Sequence, residues 1–290
     1  MRVPHDPDQV STATITNSSG LFTISTKVAR PLADVGAGIS WPVQERTSDP
    51  VAIFFQPVSK LSWHWNWNKN WDRVLPETTP DLKIPAEFVP MIFSPNHLND
   101  GVDVPQQWRV LMGFNEPDHD DPSVATKCSP AEAAVAWTKL AALRKYPHQK
   151  LVSPGIAWDF EWLRNFLSLI PAHIKPDYLN VHIYTTTFDS FQSQVKRYHS
   201  EFGLPLIITE FAMHSFNPMV PPPRNQQQVH DFMGQVTQWL DKKDYIAAYS
   251  WFGAVRDGGN LHGVHHFNRL MNEEGKLTPL GRQYVFGGHT

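Results

Sequence analysis

Short apolar runs recur along the chain, each bounded by Gly, Pro, Asn or Asp. Between them lie stretches whose apolar residues return every third or fourth position. The runs predict strands over 35–40, 60–66, 87–93, 110–114, 150–156, 178–184, 206–211 and 246–252. The intervening pattern predicts helices. One opens at Thr47-Ser48-Asp49-Pro50, with a cap and a first-turn proline. A second starts at the capping box Ser129-Pro130-Ala131-Glu132 and runs to about 145. A third follows the fifth strand through Phe166, and others cover 190–202, 226–240 and 277–285. The strands are continuous apolar runs rather than alternating ones, as expected when both faces are covered.

Strands that alternate with helices in this way argue a parallel sheet with right-handed crossovers, closed as a (β/α)₈ TIM barrel. A doubly wound open sheet is the alternative. It usually carries a glycine-rich turn after its first strand, and Gly36-Ala37-Gly38 lies inside the strand instead. Residues 1–32 are polar and rich in Ser and Thr, and read as an N-terminal arm packed on a single domain spanning 33–290.

Composition narrows the function. The chain has 290 residues, of which 41% are hydrophobic, enough for one large core. Its formal net charge is -3 and no Lys/Arg cluster stands out, so no nucleic acid or membrane partner is expected. Eleven Trp, 17 Phe and 7 Tyr beside this near-neutral balance favour a neutral, ring-shaped ligand. Cys128 is the single cysteine, which excludes an intrachain disulfide. The N-terminal residues form no apolar leader, so the expectation is either an intracellular protein or one secreted or cell-wall associated whose leader is absent from this sequence.

Candidate chemistry sits at two strand ends. The run Val110-Leu111-Met112-Gly113-Phe114-Asn115 ends in Glu116, and Leu206-Ile207-Ile208-Thr209 ends in Glu210. Carboxyl ends of barrel strands are where such enzymes keep their chemistry. One βα unit averages about 31 residues, so the spacing from 116 to 210 places the pair about three units apart, on the fourth and seventh strands of one mouth. Two carboxylates across a mouth suit a glycosidase, and about 5–5.5 Å between them is the retaining geometry. Their roles demand different surroundings. An acid must hold its proton, so burial or the other carboxylate must raise its pKa, whereas an ionised nucleophile wants hydrogen-bond donors. Trp41, Trp63 and Trp251 follow or end the first, second and eighth strands, which predicts rings facing the mouth as sugar contacts, with Trp65 and Trp67 extending the surface. His262, His265 and His266, with Asp257 nearby, form the rival feature, a loop His-x-x-His with a carboxylate that zinc could take. No His-Glu-x-x-His frame accompanies it, so no metal and no cofactor are expected.

The segments Gly113-Phe114-Asn115-Glu116-Pro117-Asp118 and Thr209-Glu210-Phe211-Ala212 resemble those of glycoside hydrolase family 128, a clan A family of β-1,3-glucanases. Further matches run in order from 35 to 285. They include Gly38-Ile39-Ser40-Trp41-Pro42, Ser62-Trp63-His64-Trp65-Asn66-Trp67, Val181-His182-Ile183-Tyr184 and Tyr249-Ser250-Trp251-Phe252-Gly253. The resemblance implies that Glu116 is the acid/base and Glu210 the nucleophile. It implies further that Asn115 meets the sugar 2-hydroxyl, that Tyr184 contacts the nucleophile, and that Asn66 and His182 line the site. The family commonly has Trp-Tyr-Tyr-Asn-Trp after the second strand; here His64 and Trp65 replace the two tyrosines, which bears on cleavage mode. The implied activity is a retaining, monomeric β-1,3-glucanase acting on the polymer or its oligosaccharides. Endo action is preferred, with exo action or oligosaccharide binding with little turnover as alternatives.

Overall fold

The computed structural model describes residues 36–42, 51–70, 86–99, 104, 107–256 and 261–287, together with the backbone of 13–17 and 20–24. The last two are β1 (Ala13–Asn17) and β2 (Gly20–Ile24), an antiparallel hairpin within the expected arm. The packing of that arm lies outside the described residues, as does the helix start expected at 47–50; a short 3₁₀ turn, Val51–Phe54, follows it.

The other strands are parallel. They are β3 (Gly36–Ser40), β4 (Leu61–Trp65), β5 (Glu87–Phe88), β6 (Val110–Met112), β7 (Lys150–Val152), β8 (Leu179–Thr185), β9 (Leu206–Met213) and β10 (Ile246–Trp251). Continuous ladders join them as β5-β4-β3-β10-β9-β8 and as β6-β7. Single bridges link the two pieces: Met91 to Met112 on one side, Val152 to Tyr178 and Ile156 to Val181 on the other. The eight parallel strands with their helices match a TIM-like barrel, but the continuous ladders leave the wall in two pieces and do not close it. Pro90 explains why β5 is shorter than the 87–93 expected, since it offers no N–H to the ladder. Helices α1 (Pro130–Ala141), α2 (Phe160–Leu169), α3 (Phe188–Phe202), α4 (Gln226–Leu240) and α5 (Pro279–Phe286) fall between or after the strands. The capping box at α1 forms as expected, with the Ser129 side chain and Glu132 satisfying each other's backbone N–H groups.

Two cores result. Between strands and helices lies a large cluster that includes Leu111, Ile208, Phe211, Phe232 and Trp251. Inside the ring, Trp63, Trp65, Met91, Met112, Val152, Ile207 and Ala248 fill the barrel. Gly38 makes room for this filling. A Cβ there would fall 2.2 Å from the Trp63 ring, so the glycine on β3 and the indole on β4 are one packing unit.

Candidate active site

Glu116 enters the mouth beyond the end of β6. Its N–H donates to Gly155 O at 2.8 Å, and the Asn115–Gly155 bridge fixes the same stretch against the segment after β7. Glu116 has φ 42°, a left-handed conformation that is rare for a side chain with a Cβ. Pro117 follows it and Asp118 then anchors the turn. The Asp118 carboxylate accepts the backbone N–H groups of Ala157, Trp158 and Asp159 at 2.8, 3.0 and 2.9 Å. Asp159 in turn caps α2 through Trp162 N. The loops after β6 and β7 are thus tied together beside Glu116.

Glu210 reaches the mouth through a β-bulge. On one side Val181 pairs with Ile208 and His182 with Glu210; on the other Tyr249 pairs with Ile208 and Trp251 with Phe211. Strand β9 therefore carries one more residue than both neighbours between Ile208 and Phe211. Ile208 and Phe211 both face the helix layer, so the extra residue lets Thr209 and Glu210 share the inner side. On β8, His182 and Tyr184 stand two apart and present their side chains to the same face. Tyr184 Oη donates to Glu210 Oε2 at 2.7 Å. Trp67, which also has a left-handed backbone (φ 56°), donates its indole N–H to Glu210 Oε1 at 2.8 Å. His182 Nδ1 lies 2.7 Å from Glu116 Oε1 and 3.7 Å from Glu210 Oε2. One oxygen of Glu116, one of Glu210 and a nitrogen of His182 all lie within 4.8 Å of one another.

The electrostatics are set by this triad. Burial pushes the Glu116 carboxyl up, but the hydrogen bond and charge of His182, with a smaller share from His119, hold it below the usual carboxylate range. Glu210 is raised by burial and by the Glu116 charge, against His182, Tyr184 and Trp67, which favour its ionised form. The donors expected for a nucleophile are present at Glu210. The raised acid expected at 116 is not, and the imidazole is the reason. A 2.7 Å contact between would-be ligands is a hydrogen bond rather than a shared metal shell, because tetrahedral ligands about 2.1 Å from zinc stand well over 3 Å apart.

The other expected residues divide. Asn115 is buried at the mouth; its Nδ2 donates to Val124 O at 3.3 Å, and its Oδ1 meets no protein donor among the described residues. Asn66 braces the loop that carries Trp67, accepting from Asn68 N and donating to Asn70 O. Trp41, Trp63, Trp65 and Trp251 correct the expectation of rings facing the mouth, for all four are at most 3% exposed. Trp63 points into the barrel and donates to Gly36 O; Trp65 fills the same interior with its ring 4.3 Å from that of Trp67. Trp251 lies on the outer face of β10, packed edge-on against Phe211 and Phe232 and bonded to Asn268 O. Trp41 meets Phe54 edge-on in the outer core. Strand alternation decides these fates, and a position near a strand end does not override it.

Aromatic rings missed by the sequence reading are the open ones. Trp158, after β7, is 58% exposed, with the His119 ring 4.8 Å away; Phe216, after β9, is 59% exposed, 5.2 Å from the Tyr184 ring. Both follow a strand's carboxyl end. That signal was present for Trp158, but the segment reads as the start of a helix, whereas α2 begins only at Phe160. Of the loop histidines, His265 caps the 3₁₀ turn His266–Asn268 and stacks on His266; Asp257 lies outside the described residues. Cys128 has its thiol pushed up to about 11 by burial and by Glu132, so it is protonated near neutrality and is no nucleophile.

Comparison with known proteins adds the following. A family model described as the glycosyl hydrolase catalytic core matches residues 38–284. The chain is similar to the crystal structure of a family 128, subgroup V exo-β-1,3-glucanase from Cryptococcus neoformans, with 61% identity, a TM-score of 0.82, and coverage of 88% of this chain and 99% of that one. A subgroup VI exo-β-1,3-glucanase from Aureobasidium namibiae is 27% identical over 87% of this chain and 96% of its own, with a TM-score of 0.68. A subgroup II endo-β-1,3-glucanase from Sorangium cellulosum is 25% identical over 88% and 99%, also at 0.68. No curated protein matches the chain.

Proposed function

Because the chain belongs to glycoside hydrolase family 128, we propose that it hydrolyses β-1,3-glucan with net retention, releasing sugar from chain ends. The observation that carries this reading is the pair of carboxylates in one mouth, with oxygens within 4.8 Å of each other and two neutral donors fixed on Glu210. A separation of about 5–5.5 Å suits direct attack, whereas an inverting pair needs about 6.5–9.5 Å to admit a water. In the first step a Glu210 oxygen bonds to the anomeric carbon as the glycosidic C–O bond breaks, and Glu116 gives its proton to the departing oxygen. In the second, Glu116 takes a proton from water, which displaces Glu210. Tyr184 and Trp67 orient the nucleophile and favour its ionised form. Trp158 stands on the loop after β7, which Asp118 ties to the acid's loop, so it serves the leaving-group side, where an exposed ring can stack on a pyranose face.

End-wise action replaces the endo preference of the sequence reading, because the relative at 61% identity is an exo enzyme. Glu210→Gln tests the mechanism. Binding of a β-1,3-oligosaccharide should persist while turnover falls by several orders of magnitude; near-normal turnover would remove Glu210 from the reaction. Early products of laminarin digestion test the mode. One short product accumulating from the start supports chain-end release, and a broad initial size range returns the endo reading. Binding without any product would instead leave an oligosaccharide-binding protein.

A further inference from the structure

His182 belongs to no step written above, yet it is buried between both carboxylates. Its two ring nitrogens have opposite surroundings. Nδ1 faces Glu116 Oε1 at 2.7 Å. Nε2 has no hydrogen-bond partner among the described residues, and neither has Asn180 Nδ2. Both of these nitrogens lie 2.8 Å from the position a Cβ would take on Gly155. Thr209 donates to Asn180 Oδ1, which turns the Asn180 amide N–H groups toward this point. A proton on Nε2 would therefore sit buried, without an acceptor, in a region already supplied with a donor, whereas a bare lone pair there is far less costly.

We propose, on the reading that Glu116 is the acid, that His182 is a positioning residue in the neutral Nδ1–H form, donating to Glu116 Oε1 and so confining the acid's proton to Oε2, the oxygen left for the leaving group. In the first step that Oε2 proton passes to the glycosidic oxygen, which keeps the electron pair of the broken C–O bond, and the new carboxylate charge meets the N–H already in place on Oε1. In the second step Oε2 receives a proton from the attacking water, restoring the starting form. The groups facing the imidazole are Glu116 and Asp118 from the loop after β6, Glu210 from β9, and Tyr184 from its own strand. Burial pulls the imidazole down, but the carboxylates of Glu210, Glu116 and Asp118 pull it up to about 9. The cluster thus keeps one proton well past neutrality. The imidazolium arrangement His182⁺/Glu116⁻ and the acid arrangement His182/Glu116-H contain the same number of protons, and the surroundings of Nε2 favour the second. With His182 neutral, its charge no longer opposes the effect of burial on Glu116.

The alkaline limb of kcat/KM on a β-1,3-oligosaccharide separates the two arrangements. If His182 is a neutral donor, His182→Phe removes a bond that favours the carboxylate, so the limb moves to higher pH, and kcat falls about 10- to 100-fold. If His182 is the cation that holds the proton, the same change moves the limb to lower pH, which overturns the proposal. His182→Asn keeps an N–H near the Nδ1 position and should restore the wild-type limb and most of the rate; an unmoved limb in both variants also overturns it. Nitrogen-15 NMR of the labelled imidazole, identified by its loss in His182→Asn, gives a readout without variant turnover. An unprotonated Nε2 at neutral pH is expected, and a protonated Nε2 refutes the assignment. Glu116→Gln is the separate control: full activity in that variant would defeat the acid assignment itself, whereas a dead Glu116→Gln beside a downward limb in His182→Phe defeats only the inference about His182.

Discussion

Gly155→Ala is a one-carbon perturbation aimed at the Glu116–His182–Glu210 cluster from behind. The added Cβ would fall 2.8 Å from both His182 Nε2 and Asn180 Nδ2. Ordinary contact begins near 3.4 Å, so each side chain must retreat by about half an ångström, or the segment after β7 must shift by as much. Neither side chain is a free end. His182 is held to Glu116 and Asn180 to Thr209, while Gly155 is itself fixed by Glu116 N and Phe114 O. Overpacking of this kind typically costs about 1–3 kcal/mol. At roughly 2 °C per kcal/mol for a domain of this size, that lowers Tm by about 2–6 °C. Displacing the imidazole moves the acid as well, and a misplacement approaching 1 Å lowers rate by up to about 100-fold. Thermal melts and kcat on a β-1,3-oligosaccharide, measured on the same preparation, check both numbers. A folded variant with wild-type kcat would show that the His182–Glu116 contact does not govern the reaction.

Three further outcomes follow from the geometry. Tyr184→Phe removes one of the two donors on Glu210 and should lower kcat about 10- to 100-fold with little change in oligosaccharide affinity, read by steady-state kinetics beside calorimetric titration. Trp251→Ala should destabilise the fold by about 3–5 kcal/mol in urea melts, whereas Trp158→Ala should leave the melt unchanged and weaken oligosaccharide binding; the reverse pattern would refute the division between packed and open indoles. His64, buried, has its imidazole pulled down to about 3 by burial, so the unfolded chain takes up this proton first. Its contribution is complete above about pH 6.5 and is lost as pH falls toward 3, at up to about 1.4 kcal/mol per unit, and His64→Gln should flatten the urea midpoint between pH 7 and pH 5.

Both glutamates were legible because each ends an apolar run, and the strand order was legible because the runs alternate with capped helices. The bulge at Thr209 and Glu210 was not, since an extra residue in a uniformly apolar strand leaves no break in period. Nor was the left-handed backbone of Glu116, which precedes a proline and is held by contacts to residues about 40 positions away. The indoles misled for a related reason. Trp63 is decided by the empty space over Gly38 on the neighbouring strand, a pairing that spacing along one strand cannot reveal. His182 was legible as a site residue, but its contact with Glu116 rather than with sugar depends on how the segment after β7 bridges β8 on one side and Asn115-Glu116 on the other, which only the folded chain displays.

The two candidate carboxylates stand on different pieces of the barrel wall. Glu210 lies in a strand laddered on both sides, while Glu116 extends from the β6-β7 pair, joined to the rest by single bridges. At one seam Pro90 can accept from Met112 but has no N–H to return; at the other, Asn180 N turns to a serine hydroxyl instead of a carbonyl. Openings smaller than global unfolding begin where such pairing is thinnest. Amide hydrogens over 110–116 and 150–155 should then exchange ahead of those over 206–213, and gentle heating should part the acid from the nucleophile first. For this molecule, catalysis would fade several degrees before the fold does, so residual activity would report on the seams rather than on the melting of the whole.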